Sequence, residues 1–175
     1  MIFNQAIELI TLSEKDLALT KLELCLKMDS SRPETYNALV GYYAEKGDLE
    51  TARGYVQTGL EINPTAELYE INAKLLQNQK LLEEAEAMYL KAMTLVADDN
   101  EKLLKLKKQL IFVYIDMNKN QKAIDISNEL LDIYYDDPDL YFNVGVLYQR
   151  LATKIYDSAA ASYLVFNNGD TSINI

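Results

Sequence analysis

The sequence predicts an all-α solenoid of antiparallel helix pairs, stacked in about five copies. Three observations predict it. Glycine and proline number only 6 and 3 among 175 residues, so connections are short and helix is the default local conformation. Alanines recur at Ala18, Ala52, Ala85 and Ala123, 34, 33 and 38 residues apart, a period that accommodates two helices and their turns. The hydrophobic fraction of 49% and charged fraction of 25% are those of a chain that buries a core. The longer step of 38 adds about four residues, close to one turn of 3.6, so the buried stripe keeps its direction.

The elements follow in order. Helices are expected over 2–12 and 14–28, 33–46 and 49–62, 66–78 and 82–95, 101–117 and 120–134, 138–152 and 156–166. In the first pair Ala6, Ala18, Leu22, Cys25 and Met28 take the repeated places. The second pair is the most explicit, in the stretch YYAEKGDLETARGYVQTGLEINP, residues 42–64. Gly47 ends its first helix in a left-handed conformation, Asp48 caps the second, and Pro64 closes the unit. In the third pair Tyr69, Ala85, Tyr89, Ala92 and Leu95 match Tyr36, Ala52, Val56, Gly59 and Ile62. The fourth supplies Tyr114, Ala123, Ser127, Leu130 and Ile133, and the fifth Tyr141, Gly145 and Tyr148. A second helix for that fifth pair needs a small insertion before it, with Ala159, Ala160 and Ala161 as its close-contact residues. Ala6, Gly41, Ala73 and Gly145 are expected where first helices approach a neighbour closely. Ser13 with Asp16, and Ser31 with Glu34, have capping-box spacing, and Asp137 stands as a cap before Pro138. The repeated tyrosines Tyr36, Tyr43, Tyr69, Tyr89, Tyr114, Tyr141 and Tyr148 are expected to pack in the core. Tyr134 and Tyr135 are adjacent, so one of them must face outward.

The second unit carries Tyr36, Leu39, Gly41-Tyr42-Tyr43, Gly47-Asp48-Leu49-Glu50, Ala52, Gly59-Leu60-Glu61-Ile62 and Pro64 in register. With that pattern the chain resembles tetratricopeptide repeat (TPR) proteins across residues 1–166. The units would be about 1–30, 31–64, 65–98, 99–136 and 137–166, followed by a flexible tail or truncated end at 167–175. Units three and four depart by carrying Lys80 and Asn118 where the turn glycine usually stands, and neither ends in proline. The fifth departs most, in QRLATKIYDSAAASYLVFNNGD after Tyr148. The resemblance implies a right-handed superhelix whose concave groove is lined by first helices. It also implies a scaffold that grips peptides, helices or other domains and is seldom an enzyme.

Composition narrows the functions further. A net charge of −10 disfavours nucleic acid, whose affinity rests on neutralising phosphates. The dense lysines Lys102, Lys105, Lys107 and Lys108 are expected to form a solvated helix face. Histidine is absent, which removes the commonest general base and transition-metal ligand together. The single cysteine, Cys25, falls where the repeat wants a small buried residue and suits a reducing compartment. Asp98-Asp99, Asp136-Asp137 and Glu83-Glu84 fall at helix starts or turns, where capping and the helix dipole use them. NNGDTS at 167–172 lacks full calcium-loop spacing and its terminal Glu. No enzyme activity, cofactor or metal is expected. No signal peptide stands at the N-terminus and no apolar run is long enough to span a membrane. A cytoplasmic location is therefore favoured, with export open if a leader was removed ahead of residue 1.

The resemblance lets groove residues be chosen: Asn37, Glu70, Ile71, Lys74, Lys108, Gln109, Phe112, Phe142, Asn143 and Val146. Phe3, Asn4, Ile7, Gly41, Glu45, Asn78, Asp116 and Arg150 accompany them. Phe112, Phe142 and Val146 either anchor a partner or pack between helices. Certain TPR co-chaperones hold acidic chaperone tails in a Lys, Asn and Arg clamp. Here Asn37 is followed by Glu67, Glu70 and Ile71, whose carboxylates would repel such a tail. The expected function is a protein-interaction scaffold that takes a protein or peptide in its groove. The alternative is a structural or self-associating module, a homo-oligomer through an uncapped C-terminal end, or a piece of a larger assembly.

Overall fold

Helices of this length bury too little by themselves and must lay an apolar stripe against a neighbour. The structure is a computed structural model that describes residues 2–135 and 137–169, with side-chain surroundings through Ala160. The helices are α1 (Ile2–Thr11), α2 (Lys15–Met28), α3 (Pro33–Glu45), α4 (Leu49–Ile62), α5 (Ala66–Asn78), α6 (Leu82–Leu95), α7 (Asn100–Asp116), α8 (Asn120–Ile133) and α9 (Pro138–Gly169). Among the described residues there is no strand, and no helix is long and apolar enough to cross a membrane. The protein is all-α, as the sequence predicts. The chain divides into two compact units, Met1–Gln109 and Leu110–Ile175, with the division inside α7.

The first eight helices follow the expected spans closely. The last pair does not: 138–152 and 156–166 are joined in one helix of 32 residues. The expected tail begins inside this helix, and residues 170–175, with the last three residues of NNGDTS, lie outside the described residues.

Four tight turns join α1 to α2, α3 to α4, α5 to α6 and α7 to α8, and all are built alike. Each has one residue at positive φ: Ser13 at 63°, Gly47 at 79°, Lys80 at 62° and Asn118 at 56°. The residue after it donates its N–H back five positions, in Glu14 to Leu9 (2.9 Å), Asp48 to Tyr43 (2.9 Å), Leu81 to Leu76 (2.9 Å) and Lys119 to Tyr114 (2.8 Å). Such a turn satisfies carbonyls that the end of a helix leaves unpaired. Only Gly47 enters it without crowding its own Cβ. Ser13 is therefore a turn residue and not the cap its spacing with Asp16 suggested, and Glu14 precedes α2 without a side-chain cap. Ser31 does not cap α3 either, because its N–H and Oγ both donate to Asp29 Oδ1, at 3.0 and 2.7 Å. Asp48 caps α4 as expected, accepting from Thr51 N–H at 3.1 Å. Asp137 caps α9 by accepting from the N–H groups of Asp139 and Leu140, at 3.0 and 3.2 Å.

In the first unit the core runs between first and second helices. Ala18, Ala52 and Ala85 are fully buried, each five residues past its turn. Opposite them lie Ala6, Val40 and Ala73, seven residues before the turns and equally enclosed. Gly41 is one place off this register and is exposed, and a Cβ there would meet nothing within 4 Å. The expected close approach at Gly41 is thus corrected by one residue, to Val40. Gly59 is the tight contact: its Cβ would lie 3.0 Å from Tyr36 Cγ and 3.2 Å from Leu68 Cδ1. In the second unit Ile111, Ala123, Ile124 and Leu130 fill the same register, with Leu140, Val144 and Leu147 of α9. Tyr141, Gly145 and Tyr148 are exposed, contrary to the core role expected of the tyrosines and the close approach expected of the glycine.

Two stability outcomes follow. Gly47→Ala should lower unfolding free energy by about 1–2 kcal/mol, since alanine resists positive φ. Lys80→Gly should raise it by roughly 0.5 kcal/mol once the extra freedom of the unfolded chain is deducted. Urea titration followed by circular dichroism checks both signs. Gly59→Ala should cost about 1–3 kcal/mol through overpacking against Tyr36, measured in the same way.

Candidate partner-binding faces of the first helices

The expected groove residues occupy three repeated places on the first helices. Measured from the second repeat, Asn37, Glu70, Lys108 and Phe142 share one place. Ile71, Gln109 and Asn143 share the next, with Ala38, and Lys74, Phe112 and Val146 share a third with Gly41. Helical geometry puts these places on one side of each helix, since the third lies three or four residues beyond the others. The four residues sharing the second place, Ala38 among them, are all half-buried. The third place is open: Gly41, Lys74 and Phe112 are exposed, and Val146 is half-buried. The first place varies, from buried Glu70 through half-buried Asn37 and Lys108 to exposed Phe142.

In the first unit this face is organised around Glu70. Its side chain is 11% exposed and accepts from Lys74 Nζ at 2.6 Å and from Lys105 Nζ at 3.0 and 3.1 Å. Burial pushes the Glu70 carboxyl pKa up, but hydrogen bonds and charge from Lys74 and Lys105 outweigh this and hold it below its ordinary 4.5. A second bridge joins Lys102 Nζ to Glu67 Oε1 at 3.0 Å. A hydrogen bond that the Glu67 carboxylate accepts from its own backbone N–H, and the one from Lys102, lower the Glu67 pKa in turn. Beneath Glu70, Tyr89 is fully enclosed, and burial together with the Glu70 charge drives its phenol pKa well up.

These pairs add to two sequence expectations. Lys102 and Lys105 are not merely a solvated face, since each bridges to an acid on α5 35 residues earlier. Lys74, chosen as a partner contact, is committed to Glu70. The signal was present as opposite charges one repeat apart, a spacing that matters only once helices stack. Asn37 adds a buried Oδ1 without a hydrogen-bond partner.

In the second unit the face is apolar and open. Phe112 on α7 is 45% exposed and Phe142 on α9 is 71% exposed. Asn143 and Val146 flank Phe142 on the same helix, both half-buried. Cys25, by contrast, is buried in the first unit, as its repeat position required. Among the described residues no group of three His, Cys, Asp or Glu side chains is placed to hold a metal ion.

No protein-family model matches the chain, and no curated protein matches it in sequence. Solved structures match it in fold. PilF of Pseudomonas aeruginosa superposes with a TM-score of 0.73 at 18% identity, over 96% of this chain and 74% of its own. MamA gives 0.69 at 21% identity, over 84% of each chain. YrrB, described as a TPR protein with an unusual peptide-binding site, gives 0.67 at 19%, over 86% of this chain and 76% of its own. At these identities the likeness is one of fold. The chain has the tetratricopeptide-repeat fold.

Glu70→Gln should cost about 1–2 kcal/mol, discounted because both lysines reach solvent. Since the folded pKa of Glu70 is depressed, its contribution is present above 4.5 and lost as pH falls through the lowered value. The variant should therefore lose less stability than the parent on acidification below pH 4.5, read by urea titration at several pH values.

Proposed function

We propose that the chain is a non-catalytic protein-interaction module whose first-helix faces grip a peptide, helix or partner domain. The exposure of Phe112 and Phe142 carries this reading. Both are large apolar side chains at places that elsewhere hold Gly41, Lys74, Asn37 and Lys108, and neither finds full cover within its own unit. Partner sites commonly centre on such aromatic anchors. Phe112 and Phe142 would hold an apolar side chain of the partner, while Asn143 supplies hydrogen bonds to its backbone. In the first unit Gln109, Asn37 and Lys108 are polar groups on the same face, beside the cluster of Glu70 with Lys74 and Lys105. YrrB supports the reading by showing that a protein of this fold can carry a peptide-binding site.

A pull-down from native lysate, read by mass spectrometry, tests it. The parent chain is compared with a Phe112→Glu, Phe142→Glu variant whose helicity is first verified by circular dichroism. Specific partners should fall at least tenfold with the variant, equivalent to about 1.4 kcal/mol. Retention of the same partners would remove the aromatic face from consideration.

A further inference from the structure

The 32 residues of α9 equal a whole helical hairpin, yet they contain no turn. Pro138 begins α9 as Pro33 begins α3, which places Tyr141, Gly145 and Tyr148 level with Tyr36, Val40 and Tyr43. In α3 that face is covered by the following helix. Val40 packs with Ala52 and Val56 of α4, and Tyr43 stacks on Tyr55 with ring centroids 5.5 Å apart. The same cover encloses Ala73 on α5 and Ile111 on α7. On α9 it is missing: Tyr141 is 55% and Tyr148 50% exposed, and a Cβ on Gly145 would meet nothing within 4 Å.

The missing cover is not supplied by the chain's own next segment, for two local reasons. Ala152 and Thr153 stand where Gly47 and Asp48 make the turn, and alanine is the strongest helix former. Keeping the hairpin register would also bring Asp157 to the fully buried place of Ala18, Ala52, Ala85 and Ala123. The helix therefore runs straight. The 14 residues 156–169, as long as each of α2, α4, α6 and α8, continue in line with the face that lacks a second helix.

That continuation carries the same stripe. Tyr141, Gly145, Tyr148, Ala152, Ile155 and Ala159 follow at steps of 4, 3, 4, 3 and 4. These steps complete five helical turns without drifting around the helix and extend about 27 Å. Asp139, Arg150, Lys154 and Asp157, the charged residues of α9, fall on the opposite side of the helix. The stripe is thus uncharged and can meet its own copy running antiparallel.

We propose that α9 is a reciprocal dimerisation element. Two chains lay their α9 helices antiparallel about a two-fold axis near Ala152, and the C-terminal half of each takes the place of the missing second helix on the other. Exchange of one element between copies needs no surface beyond the one the repeat already uses. The occupant is a second copy because residues 156–169 have the length of a second helix but cannot reach their own Tyr141–Tyr148 face without breaking α9. This inference stands apart from partner binding through Phe112 and Phe142.

Sedimentation equilibrium of the full chain over a range of concentrations tests it. The expected mass is twice 19.9 kDa, and Tyr148→Lys, a change at an exposed position, should weaken association at least tenfold with helicity unchanged. A second arm places one cysteine at the axis, Ala152→Cys in a Cys25→Ala background. It should oxidise rapidly to a covalent dimer, while a control cysteine at exposed Asn128 on α8 should not. A monomer at every concentration, a dimer indifferent to Tyr148→Lys, or no preferential cross-link at 152 would each overturn the proposal.

Discussion

The close approach of a first helix to the second helix of its own hairpin is the constraint on which the rest depends. It sets Ala6, Val40, Ala73 and Ile111 seven places before the turns against alanine five places after them, and all of these residues are buried. Burial of the surrounding apolar stripe, at about 25 cal/mol per Å², supplies the driving force. The alanines decide how much of that surface can be brought together. Gly59, pressed on Tyr36, shows how little space is left.

The left-handed turn is subordinate to that packing. Ser13, Lys80 and Asn118 adopt the conformation that glycine alone takes easily. They do so because two helices docked along their length over-determine the three residues joining them. Local preference yields to tertiary burial at those three sites and agrees with it at Gly47. At Ala152 the described residues supply no docked second helix to impose a turn, and local preference prevails as continuous helix.

Charge follows the same stacking. Glu70 is buried enough to be unstable as an isolated carboxylate, and Lys74 and Lys105 make its ionised form the favoured one. The result is a first-unit face whose charges largely satisfy each other, while in the second unit the equivalent places present Phe112 and Phe142. One structural register therefore holds two chemically different surfaces, which is how a repeat fold varies recognition without altering its core.

The sequence by itself determined the helical repeat, its period, eight of the helix spans and the buried alanines, because these express short-range periodicity and close packing that recur in every copy. Asp48, Asp137 and Gly47 were legible for the same reason, each acting within four residues of itself. Only the tertiary structure decided that Ser13 serves the turn and not the cap, that Val40 rather than Gly41 meets the neighbouring helix, and that Lys102 and Lys105 bridge to α5. It also decided that residues 138–169 form one helix. Each of these depends on which surface lies opposite, and that information sits in another helix, 35 residues away for the two lysines and, for the open face of α9, in the second helix that residues 156–169 do not lay against it.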